Sequence, residues 1–375
     1  MLKLKGSAGM GYKERVDIFK QIENLRNRPP ISYITLIRPG LSSSMATDAI
    51  TRIIEQVDKI PATEENVDFL IISNGGDPIV SLRVISILRE RFKHIAVLVP
   101  YVAYNAATVL ALGADEIIMH PYSNLGPVDP QVTISRRDLS GQQTMEFSAE
   151  DIRNYIEFVK NDAGITDQQH LITALNSLLS EVGPTHIGYT KRSQQLSLTL
   201  STKMLEAQMH DKNKAAAAAQ SLNSAFFHHG YAVARSEAKN IGLNVTYPDS
   251  ELEKLMWNVW KDYSDEMQCD NAFDVIATVM ADPTANQKLN AIQVVNMPAN
   301  TPPQIAQQVW NSVIPQLRVE SQAPIEIHPK VACVESSRGA YYISTTFRVH
   351  YWRDEKMALS VNVNSFSPGW QYEEV

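Results

Sequence analysis

Cysteine is nearly absent from this chain of 375 residues, which contains only Cys269 and Cys333. Two cysteines allow one bridge at most, so a disulfide framework is excluded and a reducing compartment is the default expectation. The first residues carry positive charge but lack the apolar stretch of a signal peptide. We therefore expect a cytoplasmic protein that is not exported.

An excess of basic residues is also lacking. The chain has 34 Lys and Arg against 41 Asp and Glu, a net charge of −7, which argues against a surface for nucleic acid. No adenine-binding signature can be read, and we expect neither a cofactor nor a metal ion. With 44% hydrophobic residues the chain can bury a large core, and we expect one principal domain with an appendage.

One charge-free run, residues 95–114, has the length of a membrane span. Pro100, Asn105 and two tyrosines interrupt it, and its composition changes midway from β-branched to Ala- and Leu-rich. A buried strand followed by a buried helix is the better interpretation. We expect no membrane span.

Strands and helices are expected to alternate over the first third of the chain, because β-branched runs alternate with apolar residues at helical spacing. Strands are predicted at 31–37, 69–72, 95–99 and 116–119, and helices at 45–57, 79–91 and 105–112. Short connections between them imply parallel pairing with right-handed crossovers. The sequence thus predicts an α/β fold.

The remainder of the chain changes character twice. Helices are predicted at 148–163, 167–182 and 191–220, and an antiparallel meander at 330–335, 340–352 and 357–365. The expected divisions are an N-terminal arm (1–29), a core with inserted helices (30–250), a helical segment and linker (251–303) and a β-rich appendage (304–375). A small sheet is marginal alone, so the appendage should pack on the core or on a partner.

Four sequence blocks carry the chemical information. In chain order they are Ser73-Asn-Gly-Gly76, then Ala103-Tyr-Asn-Ala-Ala-Thr108 leading to Ala114-Asp-Glu-Ile117, then Leu125-Gly-Pro-Val-Asp-Pro-Gln131, and last His229-Gly-Tyr-Ala-Val233 with Glu237-Ala-Lys-Asn-Ile-Gly-Leu-Asn-Val245. The first two each follow a short apolar strand and open a helix. Such junctions expose backbone N–H groups and can present a reactive side chain.

These blocks resemble those of the serine dehydrogenase proteinase family, which is related to signal peptide peptidase A and to Clp protease. The resemblance spans about residues 30–250 and implies a Clp/crotonase-type core of stacked ββα units, with helical projections that contact neighbouring subunits in a homo-oligomer. The C-terminal antiparallel β appendage lies outside it. Two departures stand out: Asn105 occupies the position of the family's nucleophile serine, and Asn74 replaces the proline before the glycines.

The resemblance assigns an oxyanion hole to Gly75, Gly76 and Ala106. Two backbone N–H donors aimed at a developing oxyanion are worth ~10²–10³ in rate each. Glycine lets the backbone approach a ligand closely, and Ala106 would donate from the first turn of its helix. The alternative is that the two glycines only make a strand-to-helix turn.

Each candidate base has an alternative interpretation. His229 is the first choice for a general base, and the alternative is a surface histidine beside His228. Asp129 would orient that histidine or cap its own turn, with the cap favoured. Lys191 would form a dyad by analogy with signal peptide peptidase A, although a solvated helical lysine is favoured.

A nucleophile is harder to assign. The amide of Asn105 cannot be activated by a base, while Thr108 and Ser73 are the nearest hydroxyls and are disfavoured substitutes. The first hypothesis is therefore an impaired serine-peptidase relative that binds a peptide or an unfolded protein segment or serves as a scaffold subunit. The second is an active serine hydrolase, with a native serine replaced or another nucleophile in use. The third is acyl-CoA chemistry of the crotonase type.

Overall fold

A computed structural model of the chain describes residues 11–128, 132–138, 141–209, 211–224, 231–290, 297–317, 319–321, 323–353 and 358–374. Strands and helices alternate in its first part, as the sequence predicts. In order these elements are α1 (Tyr12–Arg26), β1 (Pro30–Thr35), β2 (Ile37–Arg38), β3 (Leu41–Ser42), α2 (Ala49–Asp58), β4 (Asn66–Ile72), α3 (Pro78–Arg91), β5 (His94–Val99), β6 (Val102–Ala103), α4 (Ala106–Leu112), β7 (Glu116–Met119) and β8 (Asn124–Leu125).

A hairpin and a group of helices occupy the middle of the chain. They are β9 (Val132–Asp138), β10 (Gly141–Phe147), α5 (Ala149–Glu157) with a π-helical turn at Phe158–Asp162, α6 (Gln168–Val182), α7 (Pro184–Glu206) and α8 (Lys212–Ser224). Ser148 and Asp151 form a capping box at the start of α5, as its sequence indicates. The single helix expected at 191–220 is instead the end of α7 and most of α8.

The last part of the described chain starts with helices and ends with strands. Its elements are β11 (Val233–Ala234), α9 (Arg235–Asn240), β12 (Val245–Thr246), α10 (Ser250–Met267), α11 (Val275–Ala281), α12 (Pro283–Asn290), α13 (Pro303–Leu317), β13 (Val319–Glu320), β14 (Ile325–Ile327), β15 (Lys330–Ser336), β16 (Gly339–Ser344), β17 (Thr346–Arg353), β18 (Leu359–Phe366) and β19 (Trp370–Glu373).

One sheet of eight strands organises the fold, in the order β12-β7-β5-β4-β1-β15-β16-β19. The first five strands pair in parallel, and β15 pairs antiparallel with β1, with Tyr33 opposite Val334. Strands from the C-terminal region thus extend the core sheet. A second sheet holds β13, β14, β17 and β18. The strand expected at 340–352 is therefore two strands, β16 and β17, which enter different sheets at Thr345.

Both faces of the central sheet are buried. Along β4, Phe69 and Ile71 pack in one apolar cluster with residues of α2, α3, α4 and α7, while Leu70 and Ile72 pack in another with residues of α1 and α10. Alternate side chains of a strand point to opposite faces, so a strand buried on both sides reads as a continuous apolar run. The result is a three-layer α/β/α core, which confirms the predicted α/β class and its added C-terminal antiparallel strands.

The charge-free run 95–114 divides into β5, β6 and α4, as expected. Within the described ranges, no helix combines the length and the apolar character that crossing a membrane requires.

Candidate active site

Two adjacent glycines follow β4. Gly75 has φ +100° and Gly76 has φ +148°, values that residues with a side chain rarely adopt. A Cβ on Gly75 would lie 2.6 Å from the carbonyl oxygen of Tyr104 and 2.7 Å from Cβ of Asn105, and one on Gly76 would lie 2.5 Å from the backbone N and O of Met45. Both positions therefore require glycine, and Gly75 lies against Asn105.

Asn105 forms the sharp turn between β6 and α4. Its backbone has φ 50° and ψ −115°, a conformation that is costly for any residue except glycine. A strained strand-to-helix turn of this kind is the geometry that presents the nucleophile in α/β hydrolases. The Asn105 side chain makes no capping hydrogen bond to the helix.

Hydrogen bonds bring the four sequence blocks together. The N–H of Ser73 donates to Val102 O (3.0 Å), the N–H of Tyr104 donates to Ser73 O (2.9 Å), and the N–H of Gly126 donates to Ala103 O (3.0 Å). β8, in the third block, pairs with β6 on one side and with β11, in the fourth block, on the other. The blocks recognised in the sequence are thus spatial neighbours.

The N–H of Gly75 is not free, because it donates to Oγ of Ser73 at 3.0 Å. Its carbonyl oxygen accepts from the N–H of Met45 at 2.7 Å. Across the described residues, by contrast, no hydrogen bond engages the N–H of Gly76 or that of Ala106. An added Cβ on Gly75 would lie 2.9 Å from Ala106 N, so the two segments are in contact. Of the three expected oxyanion donors, Gly76 and Ala106 thus have an N–H without a partner in the described part of the chain.

Both substitute nucleophiles have their hydroxyls fixed in the structure. Ser73 is fully buried, and its Oγ lies 2.7 Å from Oγ1 of Thr35. Thr108 is fully buried as well, and its Oγ1 lies within hydrogen-bond distance of the carbonyl oxygens of Ala103 (2.7 Å) and Gly126 (2.9 Å). These contacts join the site's segments to each other and give neither hydroxyl a position to attack a ligand.

Of the three candidate bases, the structure describes only Lys191. Asp129 and His229 lie outside the described residues. Lys191 is exposed on α7, where its Nζ donates to Oε1 of Gln194 at 3.5 Å. The structure therefore assembles the glycine segment and the Asn105 turn, and the roles of Asp129, His229 and Lys191 remain predictions.

Two residues near these segments were not singled out by the sequence. Met45 forms two backbone hydrogen bonds with the glycine segment. Its N–H donates to Gly75 O, and its carbonyl oxygen accepts from the N–H of Asp77 at 3.0 Å. His120, at the carboxyl end of β7, is buried and stacked on Trp257, and burial lowers the pKa of its imidazole. Neither has a local sequence signal, because each contact joins segments that are distant along the chain.

Comparison with known proteins gives a family match for the first part of the chain. Residues 12–152 match the family of ClpP-like SDH-type serine proteinases. The matched region contains Gly75, Gly76, Asn105 and Asp129 and ends before Lys191. The match confirms the resemblance for the first three blocks, since the fourth block at 229–245 lies beyond it.

Two uncharacterized proteins of Methanocaldococcus jannaschii are similar in sequence. One is 28% identical over 126 residues, which are 32% of this chain and 43% of that protein. The other is 36% identical over 66 residues, which are 18% of this chain and 23% of that protein. The chain thus spans less than half the length of either relative.

Three solved structures are similar to this chain at sequence identities of 14% or below. A membrane-bound stomatin-specific protease is 14% identical, with a TM-score of 0.34, over 60% of this chain and 84% of that chain. ClpP1 from Listeria monocytogenes is 9% identical, with a TM-score of 0.31, over 64% and 98%. The ClpP catalytic domain from Plasmodium falciparum is 12% identical, with a TM-score of 0.31, over 66% and 97%.

Proposed function

We propose that this chain is a catalytically impaired ClpP-like protein that binds an extended peptide or an unfolded protein segment without cleaving it. The observation that carries the proposal is Asn105, which occupies a strained strand-to-helix turn beside two N–H groups that have no partner among the described residues. The family's fold and donors support binding. The asparagine removes the attacking group.

The chemistry of an amide explains the impairment. The nitrogen lone pair of the Asn105 side chain is delocalised into its carbonyl, so a base cannot convert it into a nucleophile. Ser73 and Thr108 are buried and hydrogen-bonded, so neither replaces it. A peptide carbonyl can still accept from the N–H groups of Gly76 and Ala106. Recognition is thus retained while bond cleavage is lost.

Binding and cleavage can be measured in one experiment with a fluorescently labelled extended apolar peptide. We expect the anisotropy to rise on addition of the protein, and mass spectrometry to find the peptide intact after prolonged incubation. The test variant Asn105→Trp should weaken binding by filling the space beside the glycines. Its matched control Asn271→Trp, at an exposed asparagine elsewhere, should not. Absence of binding to any extended peptide would contradict the proposal.

The other hypotheses make different predictions in the same assay. An active hydrolase would release peptide fragments, and their loss on Asp129→Asn or His229→Ala would identify its base. Crotonase-type acyl-CoA chemistry would instead appear as competition by an acyl-CoA for the same site. Either result would replace the peptide-binding proposal.

A homo-oligomer is part of the proposal. Helix α6 exposes Ile172 (50%) and Leu175 (40%), and only Val182 of its residues is buried. Exposed apolar side chains along one helix are typical of a protein–protein contact.

The cytoplasmic location expected from the cysteine content stays a prediction, which cell fractionation with an antibody to the chain would test.

A further inference from the structure

The backbone at Asn105 has a torsion that few asparagines adopt. Closing a five-membered succinimide ring requires the Cβ of an asparagine and the amide nitrogen of the next residue to be nearly eclipsed about the Cα–C bond. Because the α-carbon is tetrahedral, Cβ lies about 120° from the residue's own nitrogen, so an L-residue meets this condition at ψ of about −120°. Asn105 has ψ −115°. The ring torsion is thus already set in the folded chain.

Two further features leave the reacting groups available. The N–H of Ala106, which would attack, is engaged by no hydrogen bond among the described residues. The first N–H of a helix has no intrahelical acceptor, so losing its hydrogen costs the helix nothing. The Asn105 side chain makes no capping hydrogen bond, and the residue is partly exposed, which gives water access to the product.

We propose that the Asn105–Ala106 peptide bond is a site of spontaneous succinimide formation and deamidation. The nitrogen of Ala106 attacks Cγ of Asn105, the N–Cγ bond forms, and the Cγ–Nδ2 bond breaks. Ammonia leaves with the hydrogen that Ala106 N loses. Water then opens the ring at one of its two carbonyl carbons, which leaves aspartate or isoaspartate at position 105.

The products differ in their effect on the site. Aspartate restores the peptide bond and the Ala106 N–H and places a carboxylate at the turn. Isoaspartate routes the main chain through the side-chain carbon and adds one atom to the turn, which displaces α4 from β6. Both products therefore change the site without any change in the gene. This inference rests on the backbone geometry and does not depend on peptide binding.

The chain contains a matched control for the test. Asn271 is also followed by alanine, is exposed, and is not among the positive-φ residues. At negative φ a ψ near −115° is sterically forbidden, so this second pair has the same chemistry without the set torsion. The full chain is incubated at mildly alkaline pH in water enriched in ¹⁸O. Peptide mass spectrometry then follows incorporation of the label at both asparagines.

We expect Asn105 to deamidate about five- to thirtyfold faster than Asn271 in the folded protein. This is the rate gain expected when the backbone of one residue already has the torsion that ring closure requires, because its conformational entropy has been lost on folding. In urea the two rates should converge. Asn105→Gln, whose ring is larger, should abolish modification at this position and leave Asn271 unchanged. Equal rates at the two asparagines in the folded protein, or faster modification of Asn105 in urea, would overturn the proposal.

Discussion

At the scale of single residues, Asn105 shows what a sequence can and cannot predict. Its place between a short strand and a helix follows from the pattern of apolar residues, and the proposal that it stands at the family's serine position rests on the block around it. Its φ and ψ do not, because they result from packing against Gly75. The same holds for the hydrogen bond from the Gly75 N–H to Ser73, so that of the two glycines it is Gly76 whose N–H has no partner among the described residues.

Arg15 is a second residue whose role only the structure reveals. It is fully buried on α1 and donates from Nε and Nη2 to the carboxylate of Glu335 at 2.9 Å each. Asp262 and Glu266 of α10 also contact it. Burial raises the pKa of Asp262 to about 6, although the nearby Arg15 lowers it. One arginine thus neutralises acidic groups on α10 and on β15.

Replacement of this arginine should destabilise the protein strongly. Arg15→Met leaves buried carboxylates without their cation, and we expect a loss of about 3–5 kcal/mol in the free energy of unfolding at neutral pH. Lys13→Met, at an exposed position on the same helix, should change it by less than about 0.5 kcal/mol. Urea denaturation measures both.

The pH dependence of the Arg15→Met variant checks the cause. Without the arginine, burial holds the folded-state pKa values of Asp262 and Glu266 above their unfolded values. Their contribution to stability is then fully present below about pH 4 and is lost as the pH rises through the folded values. The deficit of Arg15→Met should therefore shrink as the pH is lowered towards 4. A deficit that does not change with pH would mean that the loss is one of packing and not of charge.

At the scale of elements, local pattern was a sufficient guide where a helix or strand is determined by its own residues. The strands and helices from β1 to β7 lie within a few residues of their predicted bounds. Helix α1 was not predicted, although Tyr12, Val16 and Phe19 recur at helical spacing and are buried. The break between β16 and β17 has no local signal, because it arises where the chain leaves one sheet for another.

Helix α6 is predicted to form a contact between subunits. If its exposed apolar side chains form a subunit contact, the double substitution Ile172→Lys and Leu175→Lys should convert an oligomer into a smaller species in sedimentation velocity. Thermal unfolding should show that the monomer remains folded, because both side chains are exposed in it. The control pair Gln169→Lys and Asn176→Lys, at exposed polar positions of α6, should leave the sedimentation coefficient unchanged. A monomer at micromolar concentration for the unaltered chain would contradict the expected assembly.

At the scale of the whole molecule, the C-terminal strands illustrate the limit of sequence reasoning. Alternating polar and apolar residues predicted strands there, but β15 pairs with β1, and the contacting residues Ser32 and Glu335 are 303 positions apart in the chain. The pairing register of two strands so far apart in sequence is determined by side-chain packing and not by a connecting turn. The site was predictable to a greater extent, since its glycine segment and asparagine turn lie within matched blocks. The roles of Asp129 and His229 stay predictions, because both residues lie outside the described part of the chain.

The central claim is that position 105 lacks only the attacking oxygen. Loss of a triad nucleophile costs about 10⁶ in turnover while binding remains. Labelling by a fluorophosphonate, which reacts with activated serines, tests this most directly. We predict no labelling of the unaltered chain or of Asn105→Ala, and labelling of Asn105→Ser. Labelling of the unaltered chain that survives Asn105→Ala and is lost on Ser73→Ala or Thr108→Val would contradict the account.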